Sequence, residues 1–127
     1  MNFKYDTKSN HVYILLKSEN VDDNLAETLQ NICRDCANGE NPNFIIDFNE
    51  VKSATRQFPE ELFELQKQIY ENGASMIFTR FSPELTRHIH QSSVAQDLVF
   101  TPTLIEAIDM VSMEDLERDL LSEPDEE

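Results

Sequence analysis

Four groups of residues in this chain could do chemistry, and their spacing limits what each can do. Cys33 and Cys36 form a Cys-x-x-Cys pair, the spacing of a dithiol redox site. A reactive pair of that kind sits at a helix N-terminus, where the dipole lowers the thiol pKa. Here Leu25, Leu29, Ile32, Cys33 and Cys36 recur at three- and four-residue spacing, so both thiols fall late in a helix and on its apolar stripe. The pattern predicts two core cysteines, and no second pair exists to complete a zinc site. His88 and His90 stand two apart on a helix and diverge, while His11 is distant in sequence. Surface histidines are expected, and no metal centre. The carboxylates are numerous, but none pairs convincingly with another for acid–base work.

The fourth group is Ser53, Thr55, Arg56 and Gln57, just ahead of an inner helical stripe of Phe58, Leu62, Leu65 and Ile69. Thr55 is expected to cap that helix, and Pro59 fits its first turn, where a missing N–H is tolerated. Arg56 is exposed by pattern and could pair with a carboxylate on a partner, with Gln57 as its neutral neighbour. No Gly-rich phosphate loop, Gly-x-Ser-x-Gly elbow or His-Glu-x-x-His helix is present. The expectation is a chain that is not an enzyme, has no catalytic set and uses no cofactor.

The elements that must position these residues follow from periodicity. Phe3–Asp6 and His11–Leu16 predict an opening β-hairpin around Lys8-Ser9-Asn10. A helix follows Asp22-Asp23-Asn24 and ends at Asn38-Gly39. Asn43–Phe48 and Ser75–Thr79 read as strands buried on both faces. The second helix stops at Asn72-Gly73, and Ser82-Pro83-Glu84 opens a third with Ser82 as its cap. Asp97–Phe100 is a short last strand, and Leu104, Ile108 and Val111 form one side of a final helix. The order is ββαβαβαβα, an α/β fold with a mostly parallel or mixed sheet covered by helices.

The size of 127 residues predicts one domain, over 1–112, with an acidic C-terminal extension over 113–127. Ser112-Met113-Glu114-Asp115 resembles a fresh helix cap, and Leu116–Leu121 either extends the last helix or forms a short separate one. The chain is expected to fray from Ser122 onward. The formal charge is −15, and residues 113–127 contribute eight acids and one Arg to it, a net of −7. Such charge argues against nucleic acid or an anionic membrane as direct partner. Met1–Asp6 shows no secretory pattern, and no apolar run is long enough to span a bilayer, so a cytoplasmic location is expected.

Several local patterns resemble the STAS domain of anti-sigma-factor antagonists and of the cytosolic ends of sulfate transporters. Asp47-Phe48-Asn49-Glu50-Val51 is similar to the D-L-S-x-V that closes the family's central strand. Met76–Thr79 followed by Phe81-Ser82-Pro83-Glu84-Leu85 is similar to its next strand and helix start. Phe100–Ile108 resembles its closing strand and the opening of its last helix. The family's D-S-S-G or D-S-T-G motif lies eight residues after the strand-end Asp, and its second hydroxyl is phosphorylated by a partner kinase. That position holds Thr55-Arg56-Gln57-Phe58, so the acceptor falls on Gln57 and the glycine on Phe58. Neither Arg56 nor Gln57 accepts a phosphoryl group in this manner. Thr55 and Ser53 are the nearest hydroxyls and the candidate phospho-acceptors.

The resemblance implies a regulatory module that binds a protein partner, either an anti-sigma factor or kinase-like protein or a transporter component, at Thr55, Arg56 and Gln57. A homodimer stays open. The alternatives are a STAS subunit of a transport complex and a small-ligand domain for a nucleotide or an acyl chain.

Overall fold

The computed structural model describes residues 2–122. Of the stretch expected to fray from Ser122 onward, Ser122 is helical and residues 123–127 lie outside the described residues. Seven strands and four helices follow in the order β1 (Phe3–Thr7), β2 (Val12–Leu16), β3 (Asn20–Val21), α1 (Leu25–Ala37), β4 (Phe44–Asp47), β5 (Ser53–Ala54), α2 (Phe58–Glu71), β6 (Met76–Thr79), α3 (Pro83–His90), β7 (Phe100–Thr101) and α4 (Leu104–Ser122). The main sheet is ordered β1-β2-β4-β6-β7, with β1 antiparallel to β2 and the remaining pairs parallel. Two elements beyond the sequence reading, β3 and β5, pair with each other as a separate parallel ladder. Each is only two residues long, too short for a periodic signal.

Alternation along the buried strands sorts their side chains into two cores. Ile46, Phe44, Phe48 and Phe78 join α1, α2 and α3 in the larger core, with Leu25, Leu29, Phe58, Leu62, Leu85 and Ile89. Ile45 and Ile77 face the other way, onto Ala107 and Val111 of α4. Three helices therefore cover one face and a single helix covers the other. The inner stripe of α4 is Leu104, Ala107 and Val111. Ile108, expected on that side, is 37% exposed.

Several expectations need correcting. α4 runs unbroken through Ser112–Asp115, so no fresh cap forms there, and Leu116–Leu121 extends the same helix. The reason is tertiary: Glu114 Oε1 accepts from Tyr70 Oη at 2.6 Å and Ser75 Oγ at 2.5 Å, and Asp115 Oδ1 accepts from Asn43 Nδ2 at 2.8 Å. Arg118 closes the group, donating to Asp115 at 2.8 Å and to Asn43 at 3.0 Å. The last strand starts at Phe100 and not at Asp97, because Val99 N–H donates to the buried Gln66 side chain at 2.8 Å. His11 is buried, not on the surface. Desolvation lowers its pKa first, and the Lys8 charge lowers it further.

The cysteines follow the sequence reading more closely. Both are free; Cys33 is buried, and burial pushes its thiol up to about 12, so it stays protonated at neutral pH. Cys36 is half-buried against the same core.

One buried charge stands out. Asp47 ends β4 and is fully buried. Its carboxylate accepts from Arg80 Nε at 3.1 and 3.2 Å, from Arg80 Nη2, from Tyr13 Oη at 2.5 Å and from Asn49 N at 3.0 Å. Burial, then the bond to Asp47, pushes the Tyr13 hydroxyl up to about 12, so it remains a donor. Arg80 holds φ at +60°, a left-handed conformation that costs a non-glycine residue roughly 1–2 kcal/mol. Removing the guanidinium would strand a buried carboxylate. We expect Arg80→Ala to lower unfolding free energy in urea by about 3 kcal/mol, with Asp47→Asn/Arg80→Met recovering most of that loss.

Candidate functional site

The segment from Ser53 to Gln57 begins in β5 of the β3–β5 ladder and runs to the start of α2. The ladder anchors its beginning. Lys52 and Ser53 donate their backbone N–H groups to Glu19 O at 2.7 and 3.0 Å, and Ser53 Oγ donates to Asn20 Oδ1 at 2.5 Å. Phe58 anchors its end. That ring is fully buried and packs edge-on to His88 at 5.2 Å and tilted against Phe81 at 6.1 Å. Between these two fixtures Arg56 and Gln57 are exposed.

Thr55 does not cap α2. The N-cap is Gln57, with φ −92° and ψ 6°, and it makes no side-chain cap bond. Thr55 contributes its backbone instead, its carbonyl accepting from Phe58 N at 3.1 Å in a turn that leads into the helix. Its hydroxyl Oγ1 is shut off from solvent and has no hydrogen-bond partner. The N–H groups of the first turn of α2 thus receive no side-chain cap, and Glu60 and Glu61 in that turn complement the dipole.

Arg56 and Gln57 open into a cleft of about 320 Å³ that also takes Glu60, His88, Gln91, Ser92 and Ser93. The last four come from the end of α3 and the turn after it. Sequence reasoning missed them, because nothing in the spacing of residues 88–93 relates them to residues 56–60, and only the packing of α3 beside β5 and α2 brings the two together. The site is polar and mixed in charge, with Arg56 the single cation of its lining. Among the described residues no group of three His, Cys, Asp or Glu side chains is arranged to hold a metal ion.

The acidic side of α2 reaches toward α1. Burial raises the Glu61 carboxyl above its ordinary value of 4.5; a hydrogen bond from the Ala26 backbone opposes this, and the Asp23, Glu60 and Asp22 charges add to it. Because the folded pKa lies above the unfolded one, the folded chain binds the proton more tightly. Its stability contribution is full below about pH 4.5 and is lost as pH rises through the folded value. We expect Glu61→Gln to raise the urea midpoint at neutral pH, with the difference from wild type closing as pH falls toward 4.5.

An antiparallel opening hairpin, four strands in parallel order, three helices on one face and a lone C-terminal helix on the other define the fold of STAS domains, as the sequence patterns implied. The solved structures agree. The chain superimposes on an anti-sigma-factor antagonist (STAS) domain protein from Planctomyces limnophilus with a TM-score of 0.70 at 15% identity, over 87% of this chain and 97% of that one. It matches the Bacillus anti-sigma factor antagonist SpoIIAA in its unphosphorylated form with a TM-score of 0.65 at 16% identity, over 88% and 97%. It also matches the murine anion transporter Slc26a9 with a TM-score of 0.70 at 11% identity, over 85% of this chain and 18% of the transporter. No protein-family model and no curated protein sequence matches the chain. Among the described residues no helix is long and apolar enough to cross a membrane.

Proposed function

We propose that the chain is a non-enzymatic regulatory module that binds a protein partner through the N-terminus of α2. The observation that carries this reading is the exposed Arg56–Gln57 pair, held between a hydrogen-bonded ladder and a buried phenylalanine. A partner meeting this surface finds its polar groups already positioned, so little side-chain and loop entropy is lost on binding. Arg56 offers a planar, permanently charged fork to a carboxylate, and the cleft beside it receives a side chain from the partner. The fold is shared with anti-sigma-factor antagonists and with part of an anion transporter, which supports an anti-sigma factor, a kinase-like protein or a transporter component as partner.

The same geometry supports binding without a phosphorylation switch. Gln57, at the family's acceptor position, has no hydroxyl. Ser53 Oγ is committed to Asn20, and Thr55 Oγ1 is enclosed. A kinase would have to open the segment to reach Thr55, and to break the bond to Asn20 to use the half-exposed Ser53. Thr55 and Ser53 therefore serve the docking surface as structural supports, and Arg56 and Gln57 as its contacts.

Affinity capture from a lysate of the source cells tests the surface, with wild-type bait set against Arg56→Glu/Gln57→Ala. We expect a partner retained by wild type and lost by the variant, since a reversed charge at a centre of contact typically weakens binding by tenfold or more. A partner bound equally by both proteins would move the docking site elsewhere. Intact mass after co-expression with kinases encoded nearby should show no added phosphate.

A further inference from the structure

We propose that the outward face of α4 docks a basic amphipathic helix of a partner protein. This face lies on the opposite side of the sheet from the α1–α3 layer that carries the α2 site, and the inference does not depend on that site. A helix lying on a sheet normally shows one apolar stripe and one polar one. α4 shows two apolar stripes. Leu104, Ala107 and Val111 pack inward on Ile45 and Ile77. At 100° per residue, Ile105, Met113, Leu116 and Leu120 gather on the opposite side. They are 73%, 61%, 59% and 61% exposed. Six of the eight large apolar side chains exposed among the described residues belong to this one helix. Apolar surface concentrated in this way marks an interaction site, whereas single scattered residues do not.

Charge selects the occupant. Asp109 lies within the outer stripe, and a groove of about 340 Å³ along its flank is lined by Glu106, Asp109, Met110, Met113, Glu114 and Glu117. The one basic residue of α4, Arg118, is turned inward onto Asp115 and Asn43. The outer face is therefore apolar and acidic, with no cation of its own. A second copy of α4 laid against it would bring Asp109 and Glu117 against like charges. An anionic lipid surface would be repelled for the same reason. A helix with apolar residues at i, i+3, i+4 and i+7 flanked by Lys and Arg satisfies both features at once. On the other flank, the groove toward β1 carries Lys4 and a Lys8–Asp6 ion pair at 2.8 Å, so the excess of acid that attracts such a helix lies on the Glu106–Glu117 side.

The test uses the full chain and a synthetic helical peptide of about 18 residues, with Leu on one stripe and Lys elsewhere, titrated by calorimetry. A peptide with every Lys replaced by Glu is the control. We expect micromolar binding of the basic peptide only. Met113→Gln/Leu116→Gln leaves the charge unchanged and should weaken binding roughly tenfold. Asp109→Asn/Glu117→Gln should weaken it and flatten its salt dependence. All four side chains are exposed, so circular dichroism and thermal melting should match wild type. Arg56→Glu should leave the peptide affinity unchanged, which separates this face from the α2 site. Three results would overturn the proposal. One is no binding by wild type, and another is equal binding by Met113→Gln/Leu116→Gln. The third is a dimer seen by light scattering that the same double variant abolishes, which would assign the face to a second copy.

Discussion

The buried Asp47 carboxylate is the constraint around which the rest of the molecule is arranged. An ionised side chain with no access to water is tolerated only if its lone pairs are filled, and here Arg80, Tyr13 and the Asn49 backbone fill them. These donors come from three different parts of the chain. Tyr13 belongs to β2, Asn49 follows β4, and Arg80 follows β6, so the cluster ties together the three central strands, with Tyr13 reaching from early in β2 to the carboxyl end of β4. Sliding β4 by one residue along its neighbours would move the carboxylate to the opposite face and away from Tyr13 and Arg80. Arg80 accepts a left-handed backbone to reach it. The chain leaves β4 at this point for β5 and α2, so the clamp also sets where the segment from Ser53 to Gln57 begins.

The sheet is covered unequally, and both candidate surfaces follow from that. Three helices on one face share a core rich in phenylalanine, with Phe48, Phe58, Phe78, Phe81 and Phe100 in a connected set of ring contacts. Phe58, fully buried in this set, anchors the start of α2, which has no side-chain cap. The opposite face has only α4, whose apolar contact with the sheet is small. Polar tethers supply the rest: Glu114 to Tyr70 and Ser75, Asp115 to Asn43, and Arg118 back to both. Because these bonds use the inward side of the helix, its outward apolar residues are left to solvent.

The two surfaces differ in kind. The α2 site is a small polar address with one cation, suited to selecting a partner through directed hydrogen bonds and a single ion pair. The α4 face is broad, apolar and acidic, suited to binding through area and charge. A module with both could hold one protein while engaging another, because the sheet separates them.

Much of the architecture was legible in the amino-acid sequence, because it depends on local patterns. The apolar runs Phe44–Ile46 and Met76–Phe78 dictated doubly buried strands, the stripes of α1 and α2 dictated their inner faces, and Ser82-Pro83-Glu84 dictated the start of α3, where Ser82 Oγ accepts from Leu85 N at 3.2 Å. The resemblance to STAS domains likewise rested on short contiguous stretches. What the sequence could not determine was set by contacts between distant residues. Nothing in the local sequence linked Asp47, which closes a strand buried on both faces, to Arg80. Thr55 had the right chemistry for a cap, but a turn closed by its own carbonyl and Phe58 N carried the backbone two residues further before the helix began. Gln66, a polar residue on a buried helix face, delayed the last strand to Phe100. The cleft beside Arg56 exists only because α3 ends against Phe58, and the outer face of α4 became a surface only once Ala107 and Val111 had claimed the inner one. Periodicity records which side of an element is apolar, but which neighbour meets that side, and which polar groups are left over, is decided by packing.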